Sequence, residues 1–396
     1  MDTRMNSLEK RLGSDLDDLR RAGTYKDSLY LETPMAPRTR MEGHGGVIVL
    51  SSNNYLGLCD HPEVIRAGQQ ALAQYGAGTA SVRFICGSFK IHRQLEEKIA
   101  AFLGMESALS YVSCWNANTG LLATLTRDGD VLISDELNHA SIIDACRVVG
   151  KKVQRQVYRH SDMAELEEKL KECRNPGQVF IITDGVFSME GDIARLPDIV
   201  RLAKKYNAVT IVDDSHGTGV MGRKGRGTVE HFGLEGQVDI ITSTLGKALG
   251  GAAGGFVAAK KCVTDYLFQK SRPMLFSNAL PPTVAASALM AITVLEEHPE
   301  LVQKLRDNIA YFRRGLQHIG IQALDGESAI IPIIIGPTAA AIAMSKKLLA
   351  NKIFVTGFGF PVVPEGTARI RLQMSAALTN SDMDEALAVL KKVFSS

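Results

Sequence analysis

The sequence predicts an α/β protein, with a mostly parallel central sheet covered by helices and a second, smaller α+β domain. Three observations carry this. Between about residues 60 and 290 the strand-like segments are almost continuously apolar, the mark of strands buried on both faces. Helix-like segments separate several of them. After about residue 290 the order changes to long helix, strand, helix, two strands and a last helix.

Taken in order, Leu8, Leu12, Leu16 and Leu19 recur at helical spacing and predict an amphipathic helix that stops near Gly23. Val47 to Leu50 reads as a strand. The strands of the central sheet are Ala108 to Val112, Val131 to Ser134, Val179 to Thr183, Ala208 to Asp213, Asp239 to Thr242 and Gly255 to Ala259. Asp162 followed by Glu165 forms a capping box before a charged amphipathic run, and Leu196 to Tyr206 is a further helix. Beyond residue 290 the strands are Ile330 to Ile335, Lys352 to Thr356 and Ala368 to Gln373. Ser381 with Asp384 caps the last helix, whose buried stripe is Leu387, Leu390 and Phe394. The expected domains are an N-terminal segment over 1–55 that packs with the small domain, a large domain over 56–290 and a small domain over 291–396.

A formal net charge of +2 with mixed signs argues against nucleic-acid or membrane-surface binding. The cysteines Cys59, Cys86, Cys114, Cys146, Cys173 and Cys262 are scattered, with no C-x-x-C pair. That argues against a metal site and a disulfide framework, and suits a reducing cytoplasm. The acidic first twenty residues do not read as a secretory or transit signal, and no apolar stretch is long enough to span a bilayer.

Ligands of an open parallel sheet bind at the carboxyl ends of its strands, where three segments are unusual. In AVTIVDDSHGTG, Asp213 ends a strand and His216 follows three residues later. A carboxylate there is costly unless it meets a positive partner, such as a protonated ring nitrogen; an Asp capping the next turn is the plainer account. In VFIITDGVFSMEGD, Asp184, Ser188 and Glu190 crowd a strand exit, which ordinary turn chemistry also explains. In DIITSTLGKALGGAAGG, Lys247 follows a buried strand among glycines. A poorly solvated lysine loses basicity and becomes a nucleophile toward a carbonyl; a surface lysine would explain neither the strand nor the glycines. Ser113, Cys114 and Trp115 begin a helix after a strand, which supplies backbone N–H groups for an anion or is an ordinary loop.

Gly217, Gly219 and Gly222 match G-x-G-x-x-G, but a loop follows instead of a helix. Thr244 with Lys247 resembles a hydroxyl-x-x-lysine acyl-enzyme pair whose partner motifs are missing.

None of these segments is specific alone; their order is. The phosphate-type loop, NHAS, D-G-x-F-S-M-x-G, D-x-x-H and T-x-x-K together resemble the α-oxoamine synthase family of fold-type I pyridoxal-phosphate (PLP) enzymes, from about Ser51 to Thr379. The segments ASVRFICGS, SDELNHASIID, SRPMLFSNALPP, VTGFGFPVVP and ARIRLQMSAA are nearest to the members that acylate glycine with acetyl-CoA.

The resemblance implies PLP as cofactor, glycine and acetyl-CoA as substrates, and a cytoplasmic homodimer with its site at the subunit interface. Members that join alanine to pimeloyl-CoA with loss of the carboxylate, or members of broad specificity, are the alternatives. Lys247 would hold the cofactor as a Schiff base and act as acid and base. Asp213 would pair with the ring nitrogen, His139 would stack on the ring, and Ser188 and His216 would contact its oxygen. Cys114, Trp115 and Thr244 would hold the phosphate, with Ser277 reaching it from a neighbouring subunit. Asn53 and Arg371 would bind the amino acid carboxylate; spacing alone does not separate Arg371 from Arg369. Leu378 stands where the family usually has His.

Overall fold

The computed structural model describes residues 6–395. Strands β1 (Arg38–Met41) and β2 (Gly45–Val49) precede the large sheet. That sheet is built from β3 (Ser107–Tyr111), β4 (Val131–Asp135), β5 (Gln154–Tyr158), β6 (Val179–Asp184), β7 (Val209–Asp213), β8 (Ile240–Thr244) and β9 (Gly255–Ala259). β10 (Ile330–Gly336), β11 (Ile353–Phe354), β12 (Thr356–Phe358) and β13 (Ala368–Gln373) follow.

The large sheet has the order β3-β9-β8-β7-β6-β4-β5, and only β9 runs against the others. Its alternate residues enter two separate cores. Leu132, Phe180, Ile182, Ile211 and Val257 join one; Ile133, Val179, Ile181, Val212 and Phe256 join the other. Both faces are covered, which is why these strands read as unbroken apolar runs. Burying one such side chain contributes roughly 1.5–3 kcal/mol.

Register sets the functional edge. Tyr111 pairs with Gly255, Gly255 with Thr244, Thr242 with Asp213, and Asp213 with Asp184. The carboxyl ends of β3, β8, β7 and β6, and the start of antiparallel β9, therefore lie side by side.

Several expectations need correction. β5 went unread because its sequence, QRQVY, is polar and mostly exposed at the sheet edge. The strand expected over Lys352 to Thr356 is two strands in two sheets. β11 runs parallel to β2, and β12 pairs with β13 in the sheet β10-β13-β12. The first of these pairings ties the N-terminal segment to the C-terminal part of the chain.

The last helix, Asn380–Phe394, is capped by Thr379 and Asp382 rather than by Ser381 and Asp384. Asp384 instead accepts from the Tyr311 hydroxyl at 2.5 Å. Asp162 caps its helix, but Glu165 does not complete the box; its carboxylate accepts from Arg159 N at 2.8 Å. The Ser7–Arg21 helix forms as expected, yet it buries none of its residues in the single chain. Residues 290 and 291, the expected domain boundary, fall inside the Pro282–Glu297 helix. Among the described residues no helix is long and apolar enough to cross a membrane.

Candidate active site

Lys247, Asp213, His216, His139, Ser188, Thr244, Cys114 and Trp115 line one cavity of about 230 Å³ at this sheet edge. Lys247 follows β8 and is half-buried. Burial pulls its pKa below the usual 10.5, with nearby Asp213 opposing only in part. Its Nζ lies 2.9 Å from His216 Nε2, and His216 Nδ1 lies 2.8 Å from the Tyr55 hydroxyl. Burial, reinforced by Lys247, pushes the imidazole well below its ordinary pKa, so it is neutral. Burial pushes Tyr55 up to about 12, so its proton stays on. The Tyr55 oxygen already accepts from Gln373, and its better acceptor is His216 Nδ1 at 2.8 Å rather than Asn53 Oδ1 at 3.4 Å. That direction leaves the Nε2–H of His216 facing the Lys247 nitrogen, which can accept it when the amine is deprotonated.

Asp213 is 4% exposed. Its carboxylate accepts from Asn118 Nδ2 at 2.6 Å and from Ser215 N at 3.0 Å, with the Cys114 thiol at 3.6 Å. Among the described residues neither Asp213 nor Lys247 forms a salt bridge, although both line the same cavity. A buried carboxylate with no cation beside it is a site prepared for one. Asn118 is fully buried and donates its second hydrogen to Ser141 Oγ while accepting from Thr242 Oγ1. Ser141 in turn bonds His139 Nδ1 through both its hydroxyl, at 2.8 Å, and its backbone N–H, at 3.2 Å. Nδ1 therefore accepts, and the proton of His139 sits on Nε2. The backbone N–H of His139 is anchored to Asp184 Oδ2 at 3.0 Å.

The Cys114–Leu125 helix starts at the cavity wall, capped by Ser113. A Cβ on Gly255 would lie 2.2 Å from Cys114 N, so only glycine lets β9 come this close to the helix start. The Thr244 hydroxyl donates to Gly254 O and accepts from Gly246 N, so it is engaged locally and makes no bond to Lys247. Ser277 ends the short Arg272–Phe276 helix and is not part of the cavity wall.

Arg369 and Arg371 differ in what they meet. Arg369 pairs with Glu190 at 2.9 Å and also donates to Met189 O. Arg371 has no carboxylate partner among the described residues. It donates to Ser188 O at 2.9 Å and to Gln373 Oε1 at 3.3 Å, and its guanidinium lies 4.5 Å over the Phe358 ring. Its Nε is buried without any acceptor. Gln373 links it to Asn53, whose Oδ1 accepts from Gln373 Nε2 at 2.7 Å.

Sequence reasoning missed Tyr55, Asn118 and Gln373. Gln373 had a signal, since it is two residues from Arg371 on one strand face. The glycines of the G-x-G-x-x-G match have a packing reason. A Cβ on Gly217 would overlap the buried carboxylate of Asp214, which burial raises to a pKa of about 7; one on Gly219 would overlap Ala248 Cβ, and one on Gly222 the Glu230 carboxylate. Leu378 is 1% exposed in the hydrophobic core, where its carbonyl accepts from Asn308.

The family model for aminotransferase class I and II matches residues 45–390. The chain belongs to this family. The fold is that of the fold-type I PLP transferases, and the family is one of PLP-dependent enzymes. The 8-amino-7-oxononanoate synthase of Thermoanaerobacter pseudethanolicus is 46% identical, covering 96% of this chain and 95% of its own. The 2-amino-3-ketobutyrate coenzyme A ligase of Escherichia coli K12 is 45% identical, covering 97% and 96%. A lysine-to-alanine variant of the S. paucimobilis serine palmitoyltransferase, solved with a bound PLP–myriocin aldimine, superposes with a TM-score of 0.92 at 30% identity, covering 98% of each chain. These likenesses support α-oxoamine synthase chemistry, and two acyl donors lie equally near.

Proposed function

We propose that this chain is a cytoplasmic, homodimeric glycine C-acetyltransferase that joins glycine to acetyl-CoA, giving 2-amino-3-oxobutyrate and CoA. The observation that carries the amino-acid half is Arg371, a buried guanidinium with no carboxylate partner, set beside the cavity that holds Lys247.

The residues present suit PLP. Lys247 would hold it, and the cation-less carboxylate of Asp213 would meet its ring nitrogen. His139 would cover the ring, with Ser188 and His216 at its oxygen. Cys114, Trp115 and Thr244 would take its phosphate, joined by Ser277 of a second copy of the chain. When bound, PLP supplies an electron sink that lowers the cost of taking a proton from the amino acid Cα.

The protein's own groups do the rest. Arg371 and Asn53 grip the carboxylate and fix which Cα bond points at Lys247. The Lys247 amine, whose basicity burial lowers, takes that proton in its deprotonated form. His216, neutral and anchored by Tyr55, holds the amine in line.

Glycine and acetyl-CoA are supported by the resemblance of the segments around Arg83 to Cys86 and Ser271 to Pro282 to the glycine-acylating members. The 46% identical relatives favour a second reading, alanine with pimeloyl-CoA and loss of carbon dioxide. Offering each substrate pair separately and weighing the product decides between them. Turnover of glycine with acetyl-CoA and no carbon dioxide is expected; turnover of alanine with pimeloyl-CoA alone would overturn the proposal.

A further inference from the structure

Gln373 is 2% exposed and lies on β13, on the same face as Arg371. Its amide nitrogen donates to the Tyr55 hydroxyl at 2.8 Å and to Asn53 Oδ1 at 2.7 Å. Its amide oxygen accepts from Arg371 Nη2 at 3.3 Å. Both donors and an acceptor site are in use, each on a different residue. A flipped amide would turn its donors toward the guanidinium and its oxygen toward another oxygen, so the buried side chain has one orientation.

We propose that Gln373 is a positioning residue that makes this site select α-amino acids over amines lacking a carboxylate; the proposal rests on the reading of Arg371 and Asn53 as the carboxylate site. Because Asn53 Oδ1 is taken by Gln373, Asn53 offers its Nδ2 hydrogens, which have no acceptor among the described residues. Arg371 is held on three sides by Gln373, the Ser188 carbonyl and the Phe358 ring, and its buried Nε stays free. One amide therefore leaves two kinds of N–H donor for an anion, the Asn53 Nδ2 hydrogens and the Arg371 Nε–H, neither with an acceptor among the described residues. The same amide donates to Tyr55, the anchor of His216, so the carboxylate grip and the partner of Lys247 share one support.

The test uses the PLP-loaded protein titrated with glycine and with methylamine, followed by visible absorption, for wild type, Gln373→Met and Gln373→Glu. Wild type is expected to bind glycine more tightly than methylamine. Gln373→Met is expected to weaken glycine about tenfold or more, the scale of a charged hydrogen bond, and to leave methylamine unchanged. Gln373→Glu sets a carboxylate against Arg371 and is expected to weaken glycine further. A Gln373→Met protein that keeps the wild-type preference overturns the proposal. So does one that weakens both amines equally while its thermal midpoint falls, since that marks a purely structural role. A wild type that shows no preference instead overturns the carboxylate-site reading beneath it.

Discussion

Lys247 Nζ sits 2.9 Å from His216 Nε2 at a sheet edge where the buried carboxylate of Asp213 faces the same cavity without a cation. The amine and the acid are close enough to share a ligand, yet they form no ion pair.

Asp213→Asn keeps an oxygen for the Asn118 bond but removes the charge. Its thermal midpoint is expected to stay near wild type, while PLP affinity falls about tenfold to a hundredfold, the scale of one charge-assisted hydrogen bond. Equilibrium titration of the apoprotein with PLP measures this.

The two arginines of β13 separate cleanly. Arg371→Met is expected to raise the KM for the amino acid by about tenfold or more, with a smaller loss of stability than Arg369→Met, because its guanidinium is desolvated and has no carboxylate partner among the described residues. Arg369→Met leaves Glu190 alone, and about 3 kcal/mol of stability is expected to go, as for a broken, mostly buried pair. Urea unfolding and substrate-saturation curves on both variants check the contrast.

His160 bridges Asp135 at 3.0 Å and Asp192 at 2.8 Å. Burial opposes its charge, but the two carboxylates win and raise it to about 10, against about 6.5 in an unfolded chain. A folded pKa above the unfolded one adds stability that is complete below about 6.5 and lost as pH rises through about 10. The gap in urea midpoint between wild type and His160→Gln is therefore expected to be widest near pH 6 and to shrink steadily toward pH 10.

Thr379→Ala removes the side-chain cap of the last helix and is expected to cost about 1 kcal/mol. Ser381→Ala is expected to stay within about 0.5 kcal/mol, because Ser381 is exposed and does not cap. Thermal melts of both variants test the corrected helix start.

Strands buried on both faces declared themselves, and so did reactive residues at their ends, because apolar runs and motif order are local properties of the chain. β5 stayed hidden because an edge strand can be polar. The division of Lys352 to Thr356 between two sheets depends on distant partners, Ile48 and Arg371, which local sequence does not name. Spacing could not separate Arg369 from Arg371, because what distinguishes them is the pairing of Arg369 with Glu190, 179 residues earlier. Tyr55 and Gln373 carry no reactive group, so only their hydrogen bonds reveal what they do.

The most direct test is borohydride reduction of the PLP-loaded protein, followed by peptide mass mapping. The expected result is loss of the visible band, with the reduced cofactor's mass on the peptide containing Lys247 and none on a Lys247→Ala protein. Attachment at another lysine, or a protein that takes up no cofactor, would contradict the account.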